Sequence, residues 1–264
     1  MNRHVIVVAV VAVLAGLVAV AAPVPKDQWT TVRGHVVWPK RLEISEPMLV
    51  NVTNDKVACC AGKLLSDELQ IDPKSRGVKN VLVWLRPDTK DWTDPFPTDR
   101  VHPALAKAKP VNRVIKLEKC LFVPRMFAAR AGDTWEFQNE DTVAHNANVD
   151  HDDLAFNVTL PPTKGHAAKE PLRANAKPLY YKCDIHPWMV GRGRVFDHPY
   201  FAVTDKDGTF TLPLVPAGDW RIMYWHQTGF HKGADGRLGF PLKVPGGAAT
   251  LELKDVELEL PAPG

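Results

Sequence analysis

Beyond residue 22 no stretch of this chain keeps a helical period; apolar residues come in short alternating runs, with twenty-three prolines scattered among them. Proline breaks helix interiors, and a period of two buries one face of a strand. The pattern predicts an all-β protein. Thr31–Trp38 reads as a first strand ended by Pro39, and Asn80–Leu85, apolar nearly throughout, as a strand covered on both faces. In Thr134–Gln138, Trp135 and Phe137 alternate with Glu136 and Gln138. Between the first two strands, Leu64–Leu69 is a possible short helix, and the five prolines from Pro87 to Pro110 mark an irregular loop. A loop of that length either caps one end of a barrel or is a solvated insertion.

The first 22 residues carry Arg3 and His4, then an uncharged run from Val5 to Ala22 that ends in small residues before Pro23. This reads as a secretory leader, cleaved near Ala21 or Ala22, or as an uncleaved N-terminal anchor. Either way the chain is expected to be exported, to the periplasm or the extracellular space. A formal charge of +3 is too near neutral to imply nucleic acid.

The chemistry is concentrated in Tyr180–Met189, which places Cys183, His186 and Met189 in the spacing Cys-x-x-His-x-x-Met. Thiolate and thioether select soft Cu(I), while imidazole also satisfies Cu(II), so the set suits copper. Methionine is a poor zinc ligand. A second imidazole would complete a trigonal site, and the best placed is His145, just past the Thr134–Gln138 strand. His151 is the rival, among acidic neighbours that read as solvated.

His145-Asn146, Cys183, His186, Met189 and the run from Phe122-Val123-Pro124 to Gln138 resemble the cupredoxins, with a loop spacing like that of amicyanin and a His-Asn pair like that of plastocyanin-type proteins. The resemblance covers about residues 112–198 and selects His145 over His151. It implies a Greek-key barrel or sandwich, one type 1 copper ion on His145, Cys183, His186 and Met189, and Asn146 tying the two ligand loops together. It also implies that His186 lies nearest solvent, with Pro187 and Trp188 in an apolar docking patch. The expected units are a leader over 1–22, a cupredoxin-like domain over 29–198 with an insertion-bearing N-terminal extension, and a small β-sandwich over 199–262.

That last module is similar to transthyretin-like or carboxypeptidase-regulatory-like sandwiches. Tyr200–Thr204, Asp205-Lys206-Asp207-Gly208 and Thr209–Leu212 read as strand, turn and strand of a hairpin. His226 and His231, like His102, are expected on the surface. Of the remaining cysteines, a Cys59–Cys60 bridge would be strained, so one of the two is expected to pair with Cys120, across about 60 residues and contributing roughly 4 kcal/mol.

Between Pro161 and Val195, seven basic residues (Lys164, Lys169, Arg173, Lys177, Lys182, Arg192, Arg194) stand against Glu170 and Asp184. Such a surface would suit an acidic redox partner. Electron carriage is the leading function. A copper chaperone or store, or a structural or carbohydrate-binding extracellular β-sandwich without metal, are the alternatives. No enzyme is expected, because neither the histidine pairs of multicopper oxidases nor a nucleophilic triad signature is present.

Overall fold

The structure, a computed structural model, describes residues 28–59, 63–151 and 154–260. The expected leader, residues 1–22, and Cys60 lie outside the described residues. Strands β1 (Trp29–Val37) and β2 (Leu82–Pro87) are followed by β3 (Asn112–Glu118), β4 (Leu121–Val123), β5 (Met126–Arg130), β6 (Thr134–Asn139), β7 (His145–Asp150), β8 (Phe156–Leu160), β9 (Gly165–Ala167), β10 (Leu179–Lys182) and β11 (Val190–Phe196). The remaining strands are β12 (Phe201–Val203), β13 (Thr209–Pro216), β14 (Gly218–His226), β15 (Gly229–Phe230), β16 (Phe240–Val244), β17 (Thr250–Glu252) and β18 (Val256–Glu257). The protein is all-β, as the proline and alternation pattern predicts.

Four sheets make two face-to-face pairs. In the first, β5-β11-β10-β7-β8 faces β4-β3-β6-β9. Between them, Phe122, Phe127, Trp135, Phe137 and Tyr181 fill one core, their rings 5.1–6.2 Å apart and mostly edge to face. Trp135 and Phe137 have no exposed surface, and burying each is worth about 1.5–3 kcal/mol, which fixes the register of β6. Tyr181 lies directly opposite Gly191 on β11, where a Cβ would stand 1.9 Å from its ring. Only glycine admits that ring. The Tyr181 hydroxyl donates to the Pro124 carbonyl at 3.0 Å, so β10, which leads into Cys183, is clamped from both sides.

The second pair sets β13-β1-β17, with β18 also on β1, against β12-β2-β14-β15, with β16 on β14. Its core holds Val32, Val36, Val83, Leu85, Phe210, Leu212, Ile222 and Tyr224. Every residue of β2 is buried. Val83 and Leu85 point into this core, while Leu82 and Trp84 meet Met126 and Phe196 of the first pair. The two-sided burial read from Asn80–Leu85 is therefore met, and β2 is where the two halves join.

Three expectations are corrected by the strand pairing. β1 and β2, placed by sequence in the unit over 29–198, pair with β12, β13, β14, β17 and β18, so the second sandwich is built from both ends of the chain. The strands around Asp205–Gly208 are not a hairpin. The turn forms, with the Asp205 carboxylate accepting from the Asp207 and Thr209 amides, but β12 joins one sheet and β13 the facing one. Leu64–Leu69 is not helical, because residues 48–52 pair with it through Leu49 and Leu65 while Val52 and Leu64 enter the first core. The proline-rich loop packs on the second core, where Phe96 stacks on Trp220 at 4.7 Å, and it contains a 3-10 turn, Thr98–Arg100, and an α-helical turn, Pro103–Ala106.

Candidate metal centre

β10 pairs with both β7 and β11, so the start of β7 and the loop between β10 and β11 meet at one end of the first sandwich. His145 opens β7, and Cys183 follows β10 directly. The loop closes on itself: the Met189 amide donates to the His186 carbonyl at 2.9 Å, and the Cys183 amide to the Met189 carbonyl at 3.0 Å.

That geometry brings three donor atoms together. His145 Nδ1 and His186 Nδ1 are 2.9 Å apart, and Cys183 Sγ lies 4.0 Å from the first and 3.7 Å from the second. Metal bonds of roughly 2.0 Å to nitrogen and 2.3 Å to sulfur, at trigonal angles, set such donors roughly 3–4 Å apart, so the set fits a single ion. Cys183 is 1% exposed, and His145, His186 and Met189 are fully buried. Met189 lies in the same core cluster as Cys183.

Behind each imidazole stands a carboxylate. His145 Nε2 is 2.9 Å from Asp141 Oδ2, and His186 Nε2 is 3.0 Å from Asp55 Oδ2. A carboxylate on the outer nitrogen fixes the ring and leaves the inner one as a lone pair. Burial works against a charged His145, but the hydrogen bond to Asp141 and the nearby Cys183 outweigh it and hold its pKa at about 8. Burial and the neighbouring His145 push His186 down, with Asp55 opposing. At Cys183 burial raises the thiol, yet His145 and the amides of Asn146, His186 and Ile185 overcome it, lowering the pKa towards thiolate.

Asn146 stitches the two loops. Its amide donates to Cys183 Sγ at 3.3 Å, and its side-chain oxygen accepts from the Asp184 amide at 2.5 Å. Its side-chain nitrogen donates to Asn157 and Asp184.

Sequence reasoning missed the residues that enclose the site. Asp141 lies four residues before His145, and its carboxylate also accepts from the amides of Lys119 and Cys120, at 2.7 and 2.8 Å. These two residues form the tight turn joining β3 to β4, both at positive φ, where Asn-Gly is the usual choice. The carboxylate compensates for the missing glycine. Cys120 in that turn is bonded to Cys59. Of the alternatives left open by the sequence, Cys59 is the partner. The bond ties residues 50–59 over the ligand loop as a strap, and Asn54 donates to the Ile185 carbonyl at 2.8 Å. Nothing in the spacing of Asp55 marks it, because its contact with His186 spans 131 residues.

The strap overturns one expectation. His186 is not near solvent but fully buried beneath Asp55. Pro187 is exposed, and Trp188 is half-buried, its indole donating to the Cys120 carbonyl at 3.1 Å. His151, the rival ligand, is buried elsewhere, and among the described residues neither ring nitrogen finds a hydrogen-bond partner. Of the basic run, Lys164, Lys169, Arg173 and Lys177 are exposed; Lys182 pairs with Asp184, and Arg192 lies over Tyr180.

No family model matches the chain, and no curated protein matches it. Among solved structures it is similar in part to a copper-containing nitrite reductase from Thermus scotoductus SA-01, at 24% identity over 36% of this chain with a TM-score of 0.31. It is also similar to amicyanin from Paracoccus versutus (20%, over 34% of this chain and 87% of that one, TM-score 0.28). A purple cupredoxin from Nitrosopumilus maritimus matches at 21% over 31% of this chain and 98% of that one, with a TM-score of 0.27. The chain spans about a quarter of the nitrite reductase, 26% of its length. At these scores the likenesses assign no role to any residue. They do correct the expectation that the chain is not an enzyme, since one of the matched structures is a reductase.

Proposed function

We propose that this chain is an exported copper protein. One ion would be held by His145, Cys183 and His186, with Met189 as a weak fourth ligand, and single electrons exchanged with a redox protein. The observation that carries this reading is the convergence of two Nδ1 atoms and one sulfur in a buried pocket, with both outer nitrogens on carboxylates. Copper in such a setting supplies one-electron chemistry with little ligand rearrangement. The chain's own contribution is positional. Asp141 and Asp55 orient the rings, the Asn146 amide supports the thiolate, and the strap keeps water from the donors. The Cys59–Cys120 bond supports an oxidising compartment and thus export. Among the described residues no helix is long and apolar enough to cross a membrane.

The exposed Lys164, Lys169, Arg173 and Lys177 suit an acidic partner, whose encounter rate would fall as salt is added. The second sandwich, with its share of residues 29–87, is proposed to buttress the first through β2. Titration with cupric salt tests the reading. One equivalent should develop an intense visible band, and a chain that stays colourless, or takes up no ion, overturns it. A colourless, readily exchanged ion would instead favour the chaperone reading, against which the burial of His186 weighs.

A further inference from the structure

Where the two sandwiches meet, at the C-terminal ends of β2 and β11, a cavity of about 180 Å³ opens, lined by Trp84, Trp92, Phe96, Phe196, Arg194 and Asp197 among others. Its walls come from both halves, the kind of place where ligand pockets occur. The unusual element is Arg194. Its guanidinium carbon stands 4.9 Å from the Trp84 ring centre and 5.1 Å from that of Phe196. No carboxylate oxygen or carbonyl reaches its N–H groups among the described residues, and its Nε is buried without an acceptor.

The neighbouring arginines show how this fold ordinarily treats such a group. Arg86, whose Nε is likewise buried without an acceptor, gives its terminal N–H groups to the carbonyls of Leu238, Thr89 and Asp91. Arg221 pairs with Asp88 and with the Leu238 and Gly239 carbonyls. Arg194 has two aromatic faces and, among the described residues, no hydrogen-bonded acceptor. Burial lowers its pKa to about 10, so it remains a cation at neutral pH. Cation–π contact recovers part of the hydration lost on burial, and a planar anion on the open edge of the fork would recover more. The charge of Asp197 acts on Arg194 without a hydrogen bond between them; one oxygen of its carboxylate accepts from the Phe96 amide at 3.0 Å.

We propose that this cavity is a binding site for a small organic carboxylate, whose oxygens accept from the Arg194 N–H groups while its apolar part lies against Trp84, Trp92 and Phe96. Aromatic walls select an organic anion over an inorganic one, and Asp94 and Asp197 among the lining residues disfavour a multiply charged phosphate. The volume falls below the roughly 300–1,000 Å³ of sites for drug-sized ligands, which selects a small acid.

The test uses the full chain with acetate, benzoate and phenylacetate as probes and benzyl alcohol as the neutral control, followed by titration calorimetry and by the melting temperature. One saturable site should appear for at least one aromatic acid, with a raised melting temperature and affinity at least tenfold above that of benzyl alcohol. Arg194→Met should lose at least tenfold of that affinity. Trp92→Ala, a change at a half-exposed wall, should lose less while leaving the fold intact. No saturable binding by any acid overturns the proposal, and so does equal binding of acid and alcohol, or an Arg194→Met chain that binds as the parent does. Should Arg194→Met fail to fold, the acid-against-alcohol comparison on the parent chain decides. None of these readouts involves the metal donors, so failure here and failure of the copper reading are separable.

Discussion

Both halves of the molecule bury histidines, and the two that face Cys183 are treated unlike the rest. In the first sandwich, His145 and His186 each have a carboxylate behind and a sulfur in front. At the junction and in the second sandwich, His198, His226 and His231 are also buried, yet among the described residues no carboxylate oxygen lies within hydrogen-bonding distance of their rings. His198 accepts from the Tyr200 amide, His226 meets the Thr228 hydroxyl at 2.9 Å, and His231 accepts from the Glu259 amide and packs its ring on Phe240. Burial pushes His198 to about 3 and His226 to about 4, and lowers His231 as well. These are neutral packing elements. The surface positions expected for His226 and His231 were wrong because β14 runs on through Trp225 and His226 into the interior. A buried imidazole is thus no mark of a metal site; an outer carboxylate and an inner thiolate are.

The largest effect that could break this contrast is on Cys183. Replacing Cys183→Ser should abolish the visible band of the copper-loaded chain, and a fully coloured variant would reduce His145 and His186 to core residues like the other three. Next is the strap. The double change Cys59→Ala with Cys120→Ala removes a link across 61 residues and should lower stability by about 4 kcal/mol in urea unfolding. An unchanged midpoint would mean that the cover over His186 is held by other contacts. Third, Asp55→Asn should weaken copper binding by about 10–100-fold, whereas His226→Gln should leave it unchanged. Equal effects in competition titrations would erase the distinction between the two classes.

The smallest effect sharpens the other side of the comparison. Unfolded, His198 and His226 take up a proton below their ordinary value of 6.5; folded, they do so only near 3 and 4. The unfolded state therefore binds more protons in that window, and acidification should cost about 1.4 kcal/mol per pH unit for each ring. His198→Gln should flatten the slope of unfolding free energy against pH between 6 and 4, and an unaltered slope would show that the ring is not buried as a neutral group.

What could be read in the sequence was what depends on short spacing. Cys183, His186 and Met189 share one loop, and a thiol, an imidazole and a thioether three residues apart have few other uses. Trp135 and Phe137 announced a strand by alternation alone. The strap could not be read, since Asn54 and Asp55 sit in a stretch with no period and act on residues more than a hundred positions away. Nor could the partners of β1, because alternation says which face of a strand is buried and nothing about what pairs with its edges. The irregular loop from Pro87 was read by its prolines, but its anchoring by Phe96 on Trp220 is again a contact across distance. Hydrophobic patterning reports the face each residue turns; topology is set by which faces are left to meet.

The position of β1 between β13 and β17 has a consequence for how such a chain is made. Made from the N-terminal side, that strand precedes both of its neighbours by more than 170 residues, so its edges stay open while everything between is synthesised. Strands β3 to β11 are contiguous and can close on themselves well before then. Whatever accompanies the unfolded polypeptide has one vulnerable strand to shield until β13 and β17 arrive to cover it.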